Sequence, residues 1–281
     1  MTHTNTAPFA YAVLLIFGYL SIAPASAQTS DLVSGNALRV CADPANLPIS
    51  AQDGSGYENK LAELVAAKLE KPVEYTWFPQ ATGFIRQTLS AKRCDIVIGY
   101  AQGHELVLNT NHYFTSSYSL IVPQDGDLSD VTALTDPKLK DLRIGIVAGT
   151  PPAAHMARNG LIAKAKPYNL VVDRRRESPA VDMLNDLEAG EIAAAILWGP
   201  LGGPLVKNNY DGLKVTPLVE ETLPPRLFFR ITMGVRRGEK VWQRQLNSLI
   251  RRNQDEINAV LVEAGVPLVN DLGTEVLEFS Q

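Results

Sequence analysis

Apolar positions recur along this chain in two periods, and the switches between them mark the elements. Residues 38–42, Leu-Arg-Val-Cys-Ala, read as a short apolar strand that stops at Asp43-Pro44. A polar loop with Gly54 and Gly56 follows, and then Leu61, Leu64, Val65 and Leu69 recur at helical spacing, predicting an amphipathic helix that runs to Glu70. Residues 73–78 are β-branched and aromatic, a strand stopped by Pro79. Phe84, Ile85 and Leu89 predict a short helix over 82–91, and Cys94-Asp95-Ile96-Val97-Ile98-Gly99 predicts a third strand. Strands alternating with helices imply a parallel sheet with helices on its faces, and ligands of such sheets bind at the carboxyl edge, where the loop after the first strand lies. Residues 100–112 read as polar and irregular, and 113–122 return to extended character.

A second α/β pattern begins after the Asp125-Gly126-Asp127 turn. Residues 142–147 are a strand; Thr150 is then the expected N-cap of a helix that has Pro151 at its first position. Val171-Val172 reads as a short strand, and Ser178-Pro179 repeats the cap-then-proline signal before a helix that Gly190 ends. Residues 192–197 are almost wholly apolar, as in a strand buried on both faces, and Trp198-Gly199-Pro200 ends them. A strand over 228–235 and helices over 240–250 and 255–264 close the chain.

Composition narrows the class. The 281 residues are 46% hydrophobic and 20% charged, a globular balance, and the net charge of −4 without a long basic stripe argues against nucleic acid as a partner. Residues 10–22 are apolar and Ala25-Ser26-Ala27 supplies the small residues of a cleavage site, so residues 1–27 read as a secretory signal, although no Lys or Arg precedes the apolar run; no stable membrane insertion is expected once it is removed, and an uncleaved anchor is the alternative. The chain is therefore expected to be exported. Cys41 and Cys94 are the only cysteines. In an exported protein they are expected to form a disulfide, since the first and third strands are neighbours in a sheet ordered 2-1-3; two buried thiols are the alternative.

The order of parts resembles the periplasmic solute-binding protein family, in the branch of amino-acid receptors. The marks are Gly56-Tyr57-Glu58 entering the first helix, Tyr113-Phe114-Thr115-Ser116-Ser117-Tyr118, Ile144-Gly145-Ile146-Val147-Ala148-Gly149-Thr150, and Leu187-Glu188-Ala189-Gly190-Glu191-Ile192. The resemblance implies a two-lobed α/β fold of type II, each lobe a mostly parallel sheet flanked by helices, with two hinge crossings. Lobe 1 would comprise residues 28–121 plus 229–281, and lobe 2 residues 122–228. Receptors of this kind clamp a ligand carboxylate with an Arg after the third strand and pair the ammonium with an acid after the fifth-strand apolar run. Here those places read Tyr100-Ala101-Gln102-Gly103-His104-Glu105-Leu106-Val107 and Leu197-Trp198-Gly199-Pro200, so both halves of the clamp are missing. A free amino acid would then leave two charges unpaired in a closed cleft, and that reading is rejected.

Cys41-Ala42-Asp43-Pro44-Ala45-Asn46-Leu47-Pro48, Tyr75-Thr76-Trp77 and Arg93-Cys94-Asp95-Ile96 are similar to a narrower group, the MxaJ/XoxJ-type proteins associated with PQQ-dependent (quinoprotein) methanol dehydrogenases. That resemblance implies a non-enzymatic accessory protein of methylotrophy. Its partner would be a quinoprotein methanol or alcohol dehydrogenase, with its cytochrome c as a further possible partner and the lanthanide-dependent system favoured over the calcium-dependent one. A binding protein of an ABC transporter for a non-amino-acid organic solute is the alternative, and a lyase on the same scaffold a third. No cofactor, metal site or catalytic residue is expected: the four histidines lack ligand spacing, and Asp125, Asp127, Ser129 and Asp136 lack the Gly of a calcium loop. The expected ligand or partner cleft is formed by Asp43, Pro44, Leu47, Tyr57, Glu58, Tyr100, Gln102, Gly149, Thr150 and Trp198. Trp198 stands where an acid is expected and so faces the cleft, whereas Trp77 and Phe114 read as core. Gly149-Thr150 either offers backbone N–H groups to an anion or carbonyl or simply caps the helix, and Arg174-Arg175-Arg176 reads as a solvated run or a docking patch for an acidic partner.

Overall fold

The computed structural model describes residues 1–2 and 32–279; the rest of the expected signal segment and its cleavage site lie outside the described residues. In chain order the strands and helices are β1 (Leu38–Ala42), β2 (Ala45–Asn46), β3 (Ser50–Ala51), α1 (Tyr57–Lys68), β4 (Val73–Trp77), α2 (Phe84–Gln87), β5 (Val97–Ala101), β6 (Leu108–Pro123), β7 (Ile144–Val147), α3 (Pro152–Arg158), β8 (Lys166–Tyr168), α4 (Pro179–Glu188), β9 (Ala194–Trp198), α5 (Gly199–Asn209), β10 (Leu213–Pro217), β11 (Phe228–Val235), α6 (Lys240–Arg252) and α7 (Gln254–Ala264).

β1 pairs with β4 in parallel and is bridged through Val40 to Ile96, just before β5, which is the 2-1-3 order expected for the first block. The larger sheet runs β5-β11-β6-β9-β7-β8, with β10 on β6. Its β7/β8 and β7/β9 pairs are parallel, and the returning strands β6, β10 and β11 pair antiparallel, so the sheet is mixed. β6 is its spine. Through Ser117 it pairs with β11, and from Tyr118 it pairs with β9 and, one residue further, with β10. The core divides in the same way. Two clusters draw only on residues 33–114 and 231–268, and two draw only on residues 118–227.

Several boundaries differ from the sequence reading. The helix expected over 82–91 is a single turn, α2, because Gly83 enters it at φ 94° and Thr88 turns its hydroxyl back onto the Phe84 carbonyl. Residues 108–112, read as irregular, already belong to β6; their polar side chains point at partners, as when Asn109 Nδ2 donates to Thr232 Oγ1 at 2.8 Å. The strand expected at Val171-Val172 lies at Lys166–Tyr168 instead, and Val171 is left 86% exposed. Thr150 is not a cap: α3 starts at Pro152 with Pro151 at the N-cap, and the Thr150 hydroxyl donates to the Val147 carbonyl at 2.7 Å.

The helix α5 has no counterpart in the sequence reading, since Gly-Pro-Leu-Gly-Gly-Pro has a poor helical propensity. Packing overrides it. A Cβ on Gly203 would lie 2.3 Å from the Gly265 carbonyl oxygen, so only glycine lets α5 approach the turn after α7. We expect Gly203→Ala to cost about 2 kcal/mol, the scale of an overpacked core, and to lower the urea midpoint without changing its slope.

Cys41 and Cys94 form the expected disulfide, their Cα atoms 5.5 Å apart. It joins the end of β1 to the residues before β5. The 53-residue separation makes it worth about 4 kcal/mol in the loop-entropy picture. Beside it, the buried Asp95 carboxylate accepts from Arg39 Nε and Nη2, both at 2.7 Å, from Arg236 Nη2 at 2.6 Å and from the Ser34 N–H at 3.1 Å. Arg236 is also buried and pairs with Glu239.

Candidate functional site

A cleft of about 1330 Å³ opens beside the loop that follows β1. One wall is that loop, from Pro44 through Ile49 to Ser55, with Tyr57 and Lys60 of α1. The opposite wall comprises Thr150, Asn169, Leu170 and Val172 after β8, Arg174 and Arg175, and the first turn of α4. Its floor is Tyr118 of β6, the end of β9 at Trp198, and Leu201, Pro204 and Leu205 of α5. Ser178 caps α4 through a bond from the Val181 N–H, which sets that first turn at the cleft's edge.

The floor is aromatic. Tyr118 and Trp198 are register partners across β6 and β9, with ring centroids 5.4 Å apart, and Phe229 of β11 meets the Trp198 ring at 5.6 Å and 78°. Tilted and edge-to-face contacts of this kind hold the ring in place. Burial pushes the Tyr118 phenol up to about 12, so it remains a neutral donor. The rim is aliphatic: Leu47 is 52% exposed on one side and Leu170 is 56% exposed on the other.

Of the ten residues expected at the cleft, Pro44, Leu47, Tyr57, Thr150 and Trp198 line it. Asp43, Glu58, Tyr100, Gln102 and Gly149 do not. Asp43 is buried behind the loop, where its carboxylate accepts from the Ala45 N–H at 2.9 Å and the Gln80 N–H at 2.7 Å and so shapes the wall. Tyr100 packs by the disulfide cluster and meets His104 edge-on, and Gln102 continues the β5–β11 ladder at the surface. Gly149 holds a positive φ of 79° in the turn after β7. The neighbouring Thr150 N–H already donates to Val147, which removes it as a donor to a guest.

Glu58 lies in the first turn of α1, and its carboxyl rests against β5. A Cβ at Gly99 would fall 1.9 Å from Glu58 Oε1, so the glycine is what admits the carboxyl. Burial pushes it up to about 8, only partly offset by the hydrogen bond from the Gly99 backbone. Tyr57 and Tyr113, both buried, sit close enough to feel its charge, and no cation pairs with it among the described residues.

Two features were missed in the sequence. Arg174 and Arg175, read as a solvated run or a docking patch, line the cleft. Arg175 is tied to Asp173 at 2.8 Å, but Arg174 only approaches Asp43 Oδ2, at 3.6 Å, and makes no hydrogen bond among the described residues. Glu177 also lines the cleft without a side-chain partner among those residues. The apolar pair Val171-Val172 beside three arginines was the available signal: where a strand was expected, Leu170 and Val172 line the cleft. Among the described residues, no group of three or more His, Cys, Asp or Glu could hold a metal ion, and no helix is long and apolar enough to cross a membrane.

No family model matches the chain. It is 30% identical over 271 residues to the protein MoxJ of Methylorubrum extorquens, covering 88% of this chain and 89% of that one. Among solved structures, the periplasmic binding protein XoxJ of Methylobacterium extorquens AM1 is 39% identical, with a TM-score of 0.68, covering 83% of this chain and 100% of that one. An ancestral cationic amino acid solute-binding protein, 18% identical over 82% of this chain and 96% of its own, superposes with a TM-score of 0.65 and shares the fold.

Proposed function

We propose, from the premise that this chain belongs to the MoxJ/XoxJ family of periplasmic binding proteins, that it is a non-enzymatic periplasmic accessory protein of a quinoprotein alcohol dehydrogenase and that its cleft holds a segment of that enzyme. The two jaws are residues 28–121 with 229–281, and residues 122–228. Cleft size carries the reading. A volume of about 1330 Å³ exceeds the roughly 300–1,000 Å³ of ordinary small-molecule pockets. An aromatic floor and an aliphatic rim suit a side-chain-bearing segment, whose anchors would seat on Trp198 and Tyr118.

Titration calorimetry of the purified chain against a purified quinoprotein methanol dehydrogenase tests this directly. We expect saturable binding, weakened about tenfold by Trp198→Ala, the scale of one aromatic anchor. Equal affinity of the two proteins removes Trp198 from the site, and no binding at all sinks the reading.

Arg174 and Glu177 favour a second reading. A guanidinium and a carboxylate without hydrogen-bonded partners in one cleft are the pair that a small zwitterion or hydroxy acid needs, in a transport receptor that uses positions other than those of its relatives. A thermal-shift screen of free amino and organic acids separates the two. A strong shift that Arg174→Gln abolishes favours the receptor.

A further inference from the structure

Helix α6 carries a cationic stripe that no acid among the described residues pairs with. At about 100° per residue, Lys240, Arg244 and Arg251 fall within about 40° of one another. They lie opposite Trp242, Leu246, Leu249 and Ile250, which are buried in the core. Arg237 and Arg252 flank them, and all five are exposed. None makes an ion pair among the described residues; Arg252 donates to Ser248 Oγ at 2.7 Å. Between Glu239, which is paired with Arg236, and Asp255 the sequence holds no acid, although acids outnumber bases in the whole chain by 30 to 26.

Helix stability does not account for the stripe. Arg251 and Arg252 suit the C-terminal end of the helix dipole, but Lys240 and Arg244 occupy its first turns, where cations are disfavoured, and they repel each other at i,i+4. The stripe is about 16 Å long, and no residue of α6 lines the cleft. We propose that this face docks on an acidic surface of the folded partner protein, steering the encounter while the cleft holds the segment; the inference rests on the reading that the partner is a quinoprotein dehydrogenase. A membrane surface fits less well, because the apolar residues of α6 are committed to the core and leave nothing to enter a bilayer.

The test compares the full chain with its K240E/R244E/R251E variant by surface plasmon resonance against the immobilised dehydrogenase, across a salt series. We expect the association rate at low salt to fall about 10- to 100-fold, the gap to shrink as salt rises, and the dissociation rate to change little. The K240Q/R244Q/R251Q variant should fall between the two, and matching melting curves establish that each variant is folded. Carbodiimide coupling of the wild-type complex should join Lys240 to an Asp or Glu of the dehydrogenase, a link that Lys240→Arg removes. If the wild type binds and the reversed variant associates at the same rate, the stripe is only a solvated face. Stripe-dependent binding to phosphatidylserine vesicles but not to the dehydrogenase overturns it in favour of a membrane. If the wild type does not bind the dehydrogenase, the functional reading falls and this inference with it.

Discussion

Asp95→Ala should lower the unfolding free energy by about 3–5 kcal/mol, the cost of breaking a buried ion pair from one side. The loss is not of attraction alone. It strands the buried Arg236 and frees Arg39, which now spend three hydrogen bonds of 2.6 and 2.7 Å on this carboxylate. Burial alone would raise the Asp95 carboxyl, but the bonds from Arg39 and Arg236 hold it below its usual value. Its contribution is therefore complete above the unfolded carboxyl range and fades as pH falls below about 4. Chemical denaturation at pH 7 reads the effect, and an unchanged midpoint would show the network to be dispensable. The paired charges fasten the start of β5, and the disulfide stands one residue away, so the variant should be compared under oxidising conditions.

Glu58→Gln should stabilise the protein, and by more as pH rises. The wild-type carboxyl titrates near 8 when folded, against 4.5 as its ordinary value. A raised acid contributes fully below its unfolded value and loses that contribution as pH climbs to the folded one. The loss accumulates from about pH 4.5 to 8 and is bounded by about 5 kcal/mol at 1.36 kcal/mol per unit. Partial access of the residue to solvent brings the expectation to about 2–3 kcal/mol. Glutamine keeps an acceptor for the Gly99 N–H and carries no charge. The two melting temperatures should thus coincide near pH 4 and separate up to pH 8; parallel curves would mean that the carboxyl stays ionised when folded.

Much of this fold was legible in the sequence because its strands are short apolar runs that stop at Pro or Gly. The strands and first helix of the first block, residues 113–122 of β6, the capped α4 and the last two helices follow from period and punctuation alone. α5 was not legible: what lets it pack as a helix is the room that Gly199 and Gly203 leave for Ser117, Gly265 and Pro267, far along the chain, and no local window contains them. The cleft was half legible. Pro44, Leu47, Tyr57, Thr150 and Trp198 could be placed by topology, since loops at the carboxyl ends of strands meet there. Asp43 and Glu58 were misplaced for one reason: both carboxyls turn inward onto backbone N–H groups and build the wall. Arg174 was unreadable because its loop was taken for a strand and a surface run, and only the end of the β7–β8 ladder at Tyr168 sends it inward.

The three tryptophans are distributed in a way that makes the molecule its own optical reporter. Trp242 is sealed in the core with its indole N–H bonded to the Asp95 carbonyl, and Trp77 is stacked on Tyr75 with ring centroids 4.4 Å apart. Trp198 alone lines the open cavity. A guest that seats on it will move the emission of one indole against two fixed ones, so occupancy can be followed in the unlabelled protein.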